Sequence, residues 1–409
     1  MVSETGAKGT GVISLSLNNE PWKYAPSELY VEKIELKGDI WLRKNYTDKI
    51  DTSNTAAVHE KLTLTTDFYF ISGDKAELWL EMRDFSDRII YAVEGINITR
   101  GKDGKGSKTI VIDGLKRGFR SEIVAFEWHH GPNKSIGTRM STIYFFPHKP
   151  NAPWVWDKDD DQNPWVTALD MLLEWGVYDY SDVTKIATQI TEYVNSSKLL
   201  KYASGAQLIK NNIFNCTGFI NDINKKKDIE VNCSDCAAIV STLSNLLGAN
   251  LYQTRFGIGG MGFTCNKIKA IGSNEWKLTV FTYHEIAFVG VNTNIEANIY
   301  DASVKVNPTP KSNPNPSTKT TGKLPTNMQF ALFRAKYEDK QESSIKNAAY
   351  YENADMSNEG KYKYREMLIE NITRDIKTTG DYGDYYVDRN LYKGVLTGHV
   401  SNAGRRRIE

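Results

Sequence analysis

The sequence predicts an α+β protein: an all-β sandwich followed by a mixed α+β domain. Three observations carry this. From about Gly11 to Phe146 apolar residues alternate with polar ones and are interrupted by turn residues, as in half-buried strands. Prolines 147, 150, 153 and 164, three tryptophans and the acidic run Asp157 to Asp161 then break the pattern. Beyond them, helical spacing gives way to strand-like segments. A chain of 409 residues exceeds one ordinary core. The boundary is placed in the proline-rich segment, with the sandwich over 1–150 and the mixed domain over 151–409.

In order along the chain, Ile34 and Leu36, then Ile40 and Leu42, begin the alternation. In Ala76 to Phe85, Leu78, Leu80 and Met82 are expected to face a core, with Glu77, Glu81 and Arg83 facing water. Further strands are expected at Leu62 to Ile71, Arg88 to Ile98, Thr109 to Ile112, Glu122 to Trp128 and Ser141 to Phe146, with Gly101 to Gly106 as a loop. Seven or eight short strands suggest a sandwich. His129 and His130 are adjacent strand residues pointing to opposite faces, so they cannot share an ion and read as surface histidines. Asp157, Asp159 and Asp161 have the opening spacing of a calcium loop. Gln162 and Ala168 replace its required Gly and Glu, so a solvated acidic turn is expected.

Helices are expected at Trp165 to Trp175 and at Asp182 to Val194, the latter capped by Ser181. A third is read over Cys233 to Leu247, from Ile239, Val240, Leu243, Leu246 and Leu247, with Asn232 or Ser234 as cap and Gly248 as terminator. Strands at Lys277 to Val291 and Asn298 to Val306 are joined by polar Asn292-Thr293-Asn294 as a hairpin. Asn307 to Pro325, rich in Pro and Asn, reads as an exposed loop, Tyr362 to Ile376 as a closing helix, and Arg405 to Arg407 as a frayed end.

Composition removes several function classes. Lys plus Arg total 51 against 50 for Asp plus Glu, so no global field favours nucleic acid or an anionic membrane. No apolar run is long enough to span a bilayer, and the first residues lack a signal-peptide core, which fits a cytoplasmic protein or one exported by a non-Sec route. Four cysteines do not make a disulfide scaffold, so reduced thiols are expected. The Asn-x-Ser/Thr triplets read as chance, since one is Asn232-Cys233-Ser234 at the helix mouth.

Cys233 at a helix N-terminus is where unpaired N–H groups and the helix dipole favour a thiolate and can hold an oxyanion. Thiol catalysis also needs a base and a group to orient it. His284 lies on a strand-like segment downstream, and Asp301 on the next. With the turn centred between Asn292 and Thr293 the two are directly opposed, and a centre slightly later still leaves them within reach.

These residues resemble the transglutaminase-like superfamily of papain-type cysteine enzymes. The order Cys, His, Asp matches, and Cys233-Ser-Asp-Cys236-Ala237 followed by Leu246-Leu247-Gly248 is similar to the family's pattern at its cysteine helix. The similarity covers roughly Asp170 to Val306. It implies a papain-like second domain with Cys233 as nucleophile, His284 as base, Asp301 as orienting group and Cys236 as packing. Glu-Ile after His284 and Ala-Ser after Asp301 depart from the family's usual Ala-Trp and Pro-Thr, so neither calcium dependence nor a lysine acceptor carries over. The expected activity is that of an amide hydrolase or acyltransferase acting on a protein or peptide, with no cofactor and no metal.

The chain is also similar to NlpC/P60 cell-wall hydrolases, with Asp-Cys-Ser at a helix start, but a Cys-His-Asp set accounts better for Asp301. Other readings are a Cys233-x-x-Cys236 redox pair, which lacks its proline turn, and a zinc site from Cys216, Cys233, Cys236 and Cys265, which lacks a second close pair. An inactive structural protein is the last. The aromatics around Trp154, Trp156 and Trp165 suggest partner binding by the β domain.

Overall fold

The computed structural model describes residues 29–50, 54–131, 134–154, 163–178, 180–256, 263–264, 268–275, 277, 280–281, 283–289, 297–306, 345–347 and 405–409. The chain is α+β and strand-rich, and forms two compact units, 1–149 with 163–181 and 150–162 with 182–409. The acidic run 157–161, Trp156, Cys265, the loop 307–325 and the helix expected at 362–376 lie outside the described residues.

The first unit contains β1 (Leu29–Ile40), β2 (Thr55–Phe70), β3 (Lys75–Arg83), β4 (Ile89–Thr99), β5 (Lys105–Ile112), β6 (Arg120–His130), β7 (Ser135–Phe145) and helix α1 (Val166–Glu174). Where two sheets are expected, the strands form one continuous sheet in the order β1-β2-β7-β6-β3-β4, with β5 also on β2. The reason is the length of β2. Its first residues run parallel to β7, Thr55 opposite Thr142 to Val58 opposite Phe145, while Leu62 to Tyr69 leave β7 and pair with β5. The sheet therefore curls and encloses its own core, in which Phe68 of β2 meets Trp128 of β6 edge-on at 4.9 Å. Alternation is kept along β3, where Leu78, Leu80 and Met82 are fully buried.

Two expectations fail here. His129 is not a surface residue but is 9% exposed. Trp165 of this unit and Trp154 of the other are fully buried, so neither offers an exposed aromatic to a partner. Trp165 instead begins α1, which is held by backbone bonds from Val166 N–H to Arg43 O (2.8 Å) and by the Tyr144 hydroxyl donating to Asp170 (2.6 Å).

The second unit contains α2 (Val183–Ser196), β8 (Leu200–Tyr202), β9 (Ile209–Lys210), β10 (Ile213–Phe214), α3 (Cys216–Asn224), β11 (Ile229–Val231), α4 (Cys233–Leu246), β12 (Leu251–Phe256), β13 (Phe263–Thr264), β14 (Ile268–Ala270), β15 (Val280–Phe281), β16 (His284–Val289), β17 (Ala297–Tyr300), β18 (Val304–Val306), β19 (Ile345–Asn347) and β20 (Arg407–Ile408). α2 is capped by Asp182, not Ser181, because its carboxylate accepts from Thr184 N–H at 2.8 Å. Every residue of α4 is buried. Against it packs the sheet β12-β16-β17-β19. Arg405 to Arg407 are not frayed: β20 runs parallel to β10, and Arg406 is 4% exposed.

The register of β1 on β2 jumps between Gly38, opposite Leu62, and Ile40, opposite Ala57. Asp39 holds the looped-out turn of β2 by accepting from His59 N–H (2.7 Å) and Glu60 N–H (3.1 Å). Here Gly38 lies against backbone, and a Cβ on it would stand 1.6 Å from Ala57 O. Gly38→Ala should therefore destabilise the first unit by about 1–3 kcal/mol, the range for overpacking. Chemical denaturation of the variant against wild type reads this, and an unchanged midpoint would refute the close approach.

Candidate active site

The N-terminus of α4 is built by a reciprocal cap. Asn232 Oδ1 accepts from Asp235 N–H at 3.0 Å, and the Asp235 carboxylate accepts from Asn232 N–H at 3.0 Å. Asn232 Nδ2 donates to Ala206 O at 2.8 Å, which ties the cap to the preceding loop. Cys233 is thus the first helical residue, 4% exposed, and Gly248 at φ 89° follows the C-terminus as the sequence predicts.

β16 pairs antiparallel with β12 so that its first residue, His284, lies opposite Phe256. The β16–β17 register sets Ala287 opposite Tyr300 and Phe288 opposite Ile299, which centres the connection one residue later than Asn292/Thr293. His284 and Asp301 are therefore diagonal neighbours. Their side chains still meet, with His284 Nε2 2.6 Å from Asp301 Oδ2, both fully buried or nearly so. The other carboxylate oxygen accepts from the Ser303 backbone N–H (2.9 Å) and hydroxyl (2.7 Å). Asn195 on α2 donates to Ala302 O at 2.8 Å and steadies the same turn.

With Nε2 committed to Asp301, Nδ1 is the nitrogen left for Cys233. No hydrogen bond is closed at Nδ1, yet the sulfur is near enough to act on the imidazole by hydrogen bonding and by charge. Burial pushes the His284 pKa down. The Asp301 carboxylate, with help from Cys233, outweighs burial and raises it to about 10. Burial first, then the charges of Asp301 and Asp235, hold the Cys236 thiol well above its ordinary value, so Cys236 is a poor thiolate. Tyr202 is near the same groups, and its phenol is raised by burial and by Cys233. Phe281 lies 4.9 Å from the His284 ring.

Sequence reasoning missed the groups that join α4 to β16. The Ser234 hydroxyl donates to Glu285 at 2.7 Å, and Glu285 pairs with Arg406 at 2.6 Å, all in the interior. Arg406 also reaches Gln253, which donates to Ser241 of α4 at 2.7 Å. Ser303 had a local signal, since Asp-x-Ser can close on itself. Arg406 had none. Cys216, Cys233 and Cys236 are free thiols, and among the described residues they do not converge with other ligands on a metal site.

No family model matches the chain, and no curated protein matches it. Among solved structures it is similar to the transglutaminase of red sea bream, at 12% identity and a TM-score of 0.39 over 60% of this chain and 47% of that one. An alkylpurine DNA glycosylase of Pseudomonas fluorescens bound to DNA gives 7% identity and a TM-score of 0.21 over 29% and 31%. A β-glucuronidase of Bifidobacterium dentium gives 12% and 0.19 over 51% and 31%. The chain spans less than half the length of each. No described helix is long and apolar enough to cross a membrane.

The raised imidazole makes a signed prediction. A pKa near 10 when folded, against about 6.5 unfolded, stabilises the fold fully below pH 6.5, and the gain is lost as pH rises through 10. Melting temperature should fall between pH 7 and pH 10 more in wild type than in Asp301→Asn, whose imidazole lacks the charged partner. Parallel pH profiles for the two would show that His284 is neutral.

Proposed function

We propose that this protein is a cysteine-dependent amide hydrolase or acyltransferase of the transglutaminase-like, papain-type class, with Cys233, His284 and Asp301 as its reacting set. The observation that carries it is the buried His284–Asp301 hydrogen bond beside a cysteine that opens a capped helix. A charged imidazole in a core is costly unless it is paired, and a buried, strongly shifted pair beside a thiol is the kind of constellation that active sites build.

The chemistry follows from these positions. Cys233 attacks an amide carbonyl as the thiolate, with the thiol's proton held on His284 Nδ1, and a C–S bond forms. The cap satisfies the N–H of Asp235, leaving those of Cys233 and Ser234, which have no intrahelical partner, to hold the oxyanion. As the C–N bond breaks, His284 Nδ1 returns the proton to the leaving amine. Water then adds to the thioester while His284 takes its proton, and expulsion of Cys233 sulfur gives the acid. An amine in place of water would give transamidation by the same steps. Asp301 keeps Nδ1 facing sulfur and stabilises the imidazolium. Ser303 is a positioning residue for Asp301.

A screen of peptide and protein amides tests the reading. Cys233→Ala and His284→Ala should abolish turnover, and Asp301→Asn should lower it on the order of 10³–10⁴-fold while leaving a remnant. At neutral pH a thiol-reactive probe should label Cys233 before Cys216, Cys236 and Cys265. Full activity in Cys233→Ala would move the nucleophile elsewhere. Slow, equal labelling with no activity on any amide would make the chain a structural protein instead.

A further inference from the structure

On the outer face of β3 and β6, Glu81 lies directly opposite Glu127, and Trp79 opposite His129. Two carboxylates facing each other across an antiparallel pair repel, and such a position calls for a cation. Arg83 supplies one charge, from Nε (2.9 Å) and Nη2 (2.5 Å) to Glu81 Oε2, with Nε 3.6 Å from Glu127 Oε2. The histidine is not so provided for. His129 is 9% exposed and stacks on Trp79 at 5.0 Å and 7°, and neither ring nitrogen has a hydrogen-bond partner. A buried polar group in that state costs free energy.

The distances around it are informative. His129 Nε2 stands 3.5 Å from Glu81 Oε2 and 3.7 Å from Glu127 Oε2. A charge-assisted hydrogen bond would be about 2.7–2.9 Å. Two ligand atoms each about 2.1 Å from a tetrahedral ion are instead about 3.4 Å apart. All three candidate ligand atoms lie within 4.8 Å of one another. The β6–β7 register shift beside His129 places its extra residue, Ile136, on β7, so His129 keeps the regular direction set by its pairing with Trp79.

We propose that Glu81, Glu127 and His129 form a site for one divalent transition-metal ion of the zinc class, with water completing the shell. Imidazole disfavours magnesium and calcium, which take oxygen ligands, whereas one nitrogen and two carboxylates suit zinc, cobalt or manganese. The ring on Trp79 fixes the direction of Nε2. Glu81 Oε2, the oxygen that faces His129, is also the one that holds Arg83, so binding turns the other Glu81 oxygen to the ion or shifts Arg83 off Oε2. Arg83 supplies one positive charge against two carboxylates, and a divalent ion adds two more. This site uses none of the residues assigned to the cysteine chemistry and stands or falls without it.

The test uses the full chain carrying Cys233→Ala, which removes the thiol near His284 as a competing ligand. Zinc titrated calorimetrically should bind at one equivalent, and cobalt should give visible bands of nitrogen and oxygen coordination without thiolate charge transfer. His129→Ala and the nearly isosteric Glu127→Gln should each weaken binding beyond the roughly 10–100-fold that loss of an outer-shell partner costs. Circular dichroism reports whether His129→Ala still folds, and Glu127→Gln decides alone if it does not. Absence of saturable binding, or affinity unchanged in the folded variants, overturns the site.

Discussion

The second unit depends on a match of lengths around a helix that has no exposed side. α4 runs from Cys233 to Leu246, about 20 Å at 1.5 Å per residue. β12 returns from Leu251 to Phe256, about 17 Å at its own rise. Between them Asn245 accepts from Leu251 N–H (2.8 Å) and donates to Leu251 O (3.0 Å), which fixes where the strand starts relative to the helix end. Pairing of Phe256 with His284 then delivers the histidine to the level of Cys233. The buried polar residues of α4 are the means: Ser241 donates to Ala237 O at 2.7 Å, and the Trp154 indole donates to Thr242 O at 2.6 Å. A helix buried all round needs most such groups paired, and the Ser244 hydroxyl of α4 is one that has no partner among the described residues.

At the mouth, two adjacent strand residues meet two adjacent helix residues. His284 neighbours Cys233, and Glu285 takes the Ser234 hydroxyl. The second pairing includes Arg406, more than a hundred residues away in sequence, brought in by the parallel pairing of β20 with β10. Desolvating that ion pair offsets much of its attraction, so its weight lies less in net stability than in the cost of misplacement. A slip of β16 by one residue would leave Glu285 facing away from Arg406 and a charge without a partner in the interior.

What the sequence made legible was what depends on neighbours in the chain. Alternation in Leu78, Leu80 and Met82, the Asn232 cap and the Gly248 terminator are all local patterns. The β16–β17 register was off by one residue at its centre because polar Asn292 to Asn294 carry no turn chemistry that fixes a centre. The helix α3 was not seen: Gly218 and Thr217 are poor helix formers, and it is capped by Asn215 and held by burial of Phe219 and Ile220. The sandwich became one curled sheet because β2 changes partner midway, which no period-two pattern reports. Burial of Trp154, Trp165 and His129 likewise follows from tertiary contact and not from residue type.

The electrostatics of His284 favour one form of the proposed chemistry over another. An imidazole whose pKa lies near 10 holds its proton at neutral pH, which suits the donor step of the proposed chemistry better than the acceptor step. In the proposed chemistry, a proton held on Nδ1 would be ready for the leaving amine, whose departure is the harder step for an amide. Asp301, fixed by Ser303, holds the ring's charge as well as its direction, because without the carboxylate the desolvation of the buried imidazole would lower its pKa.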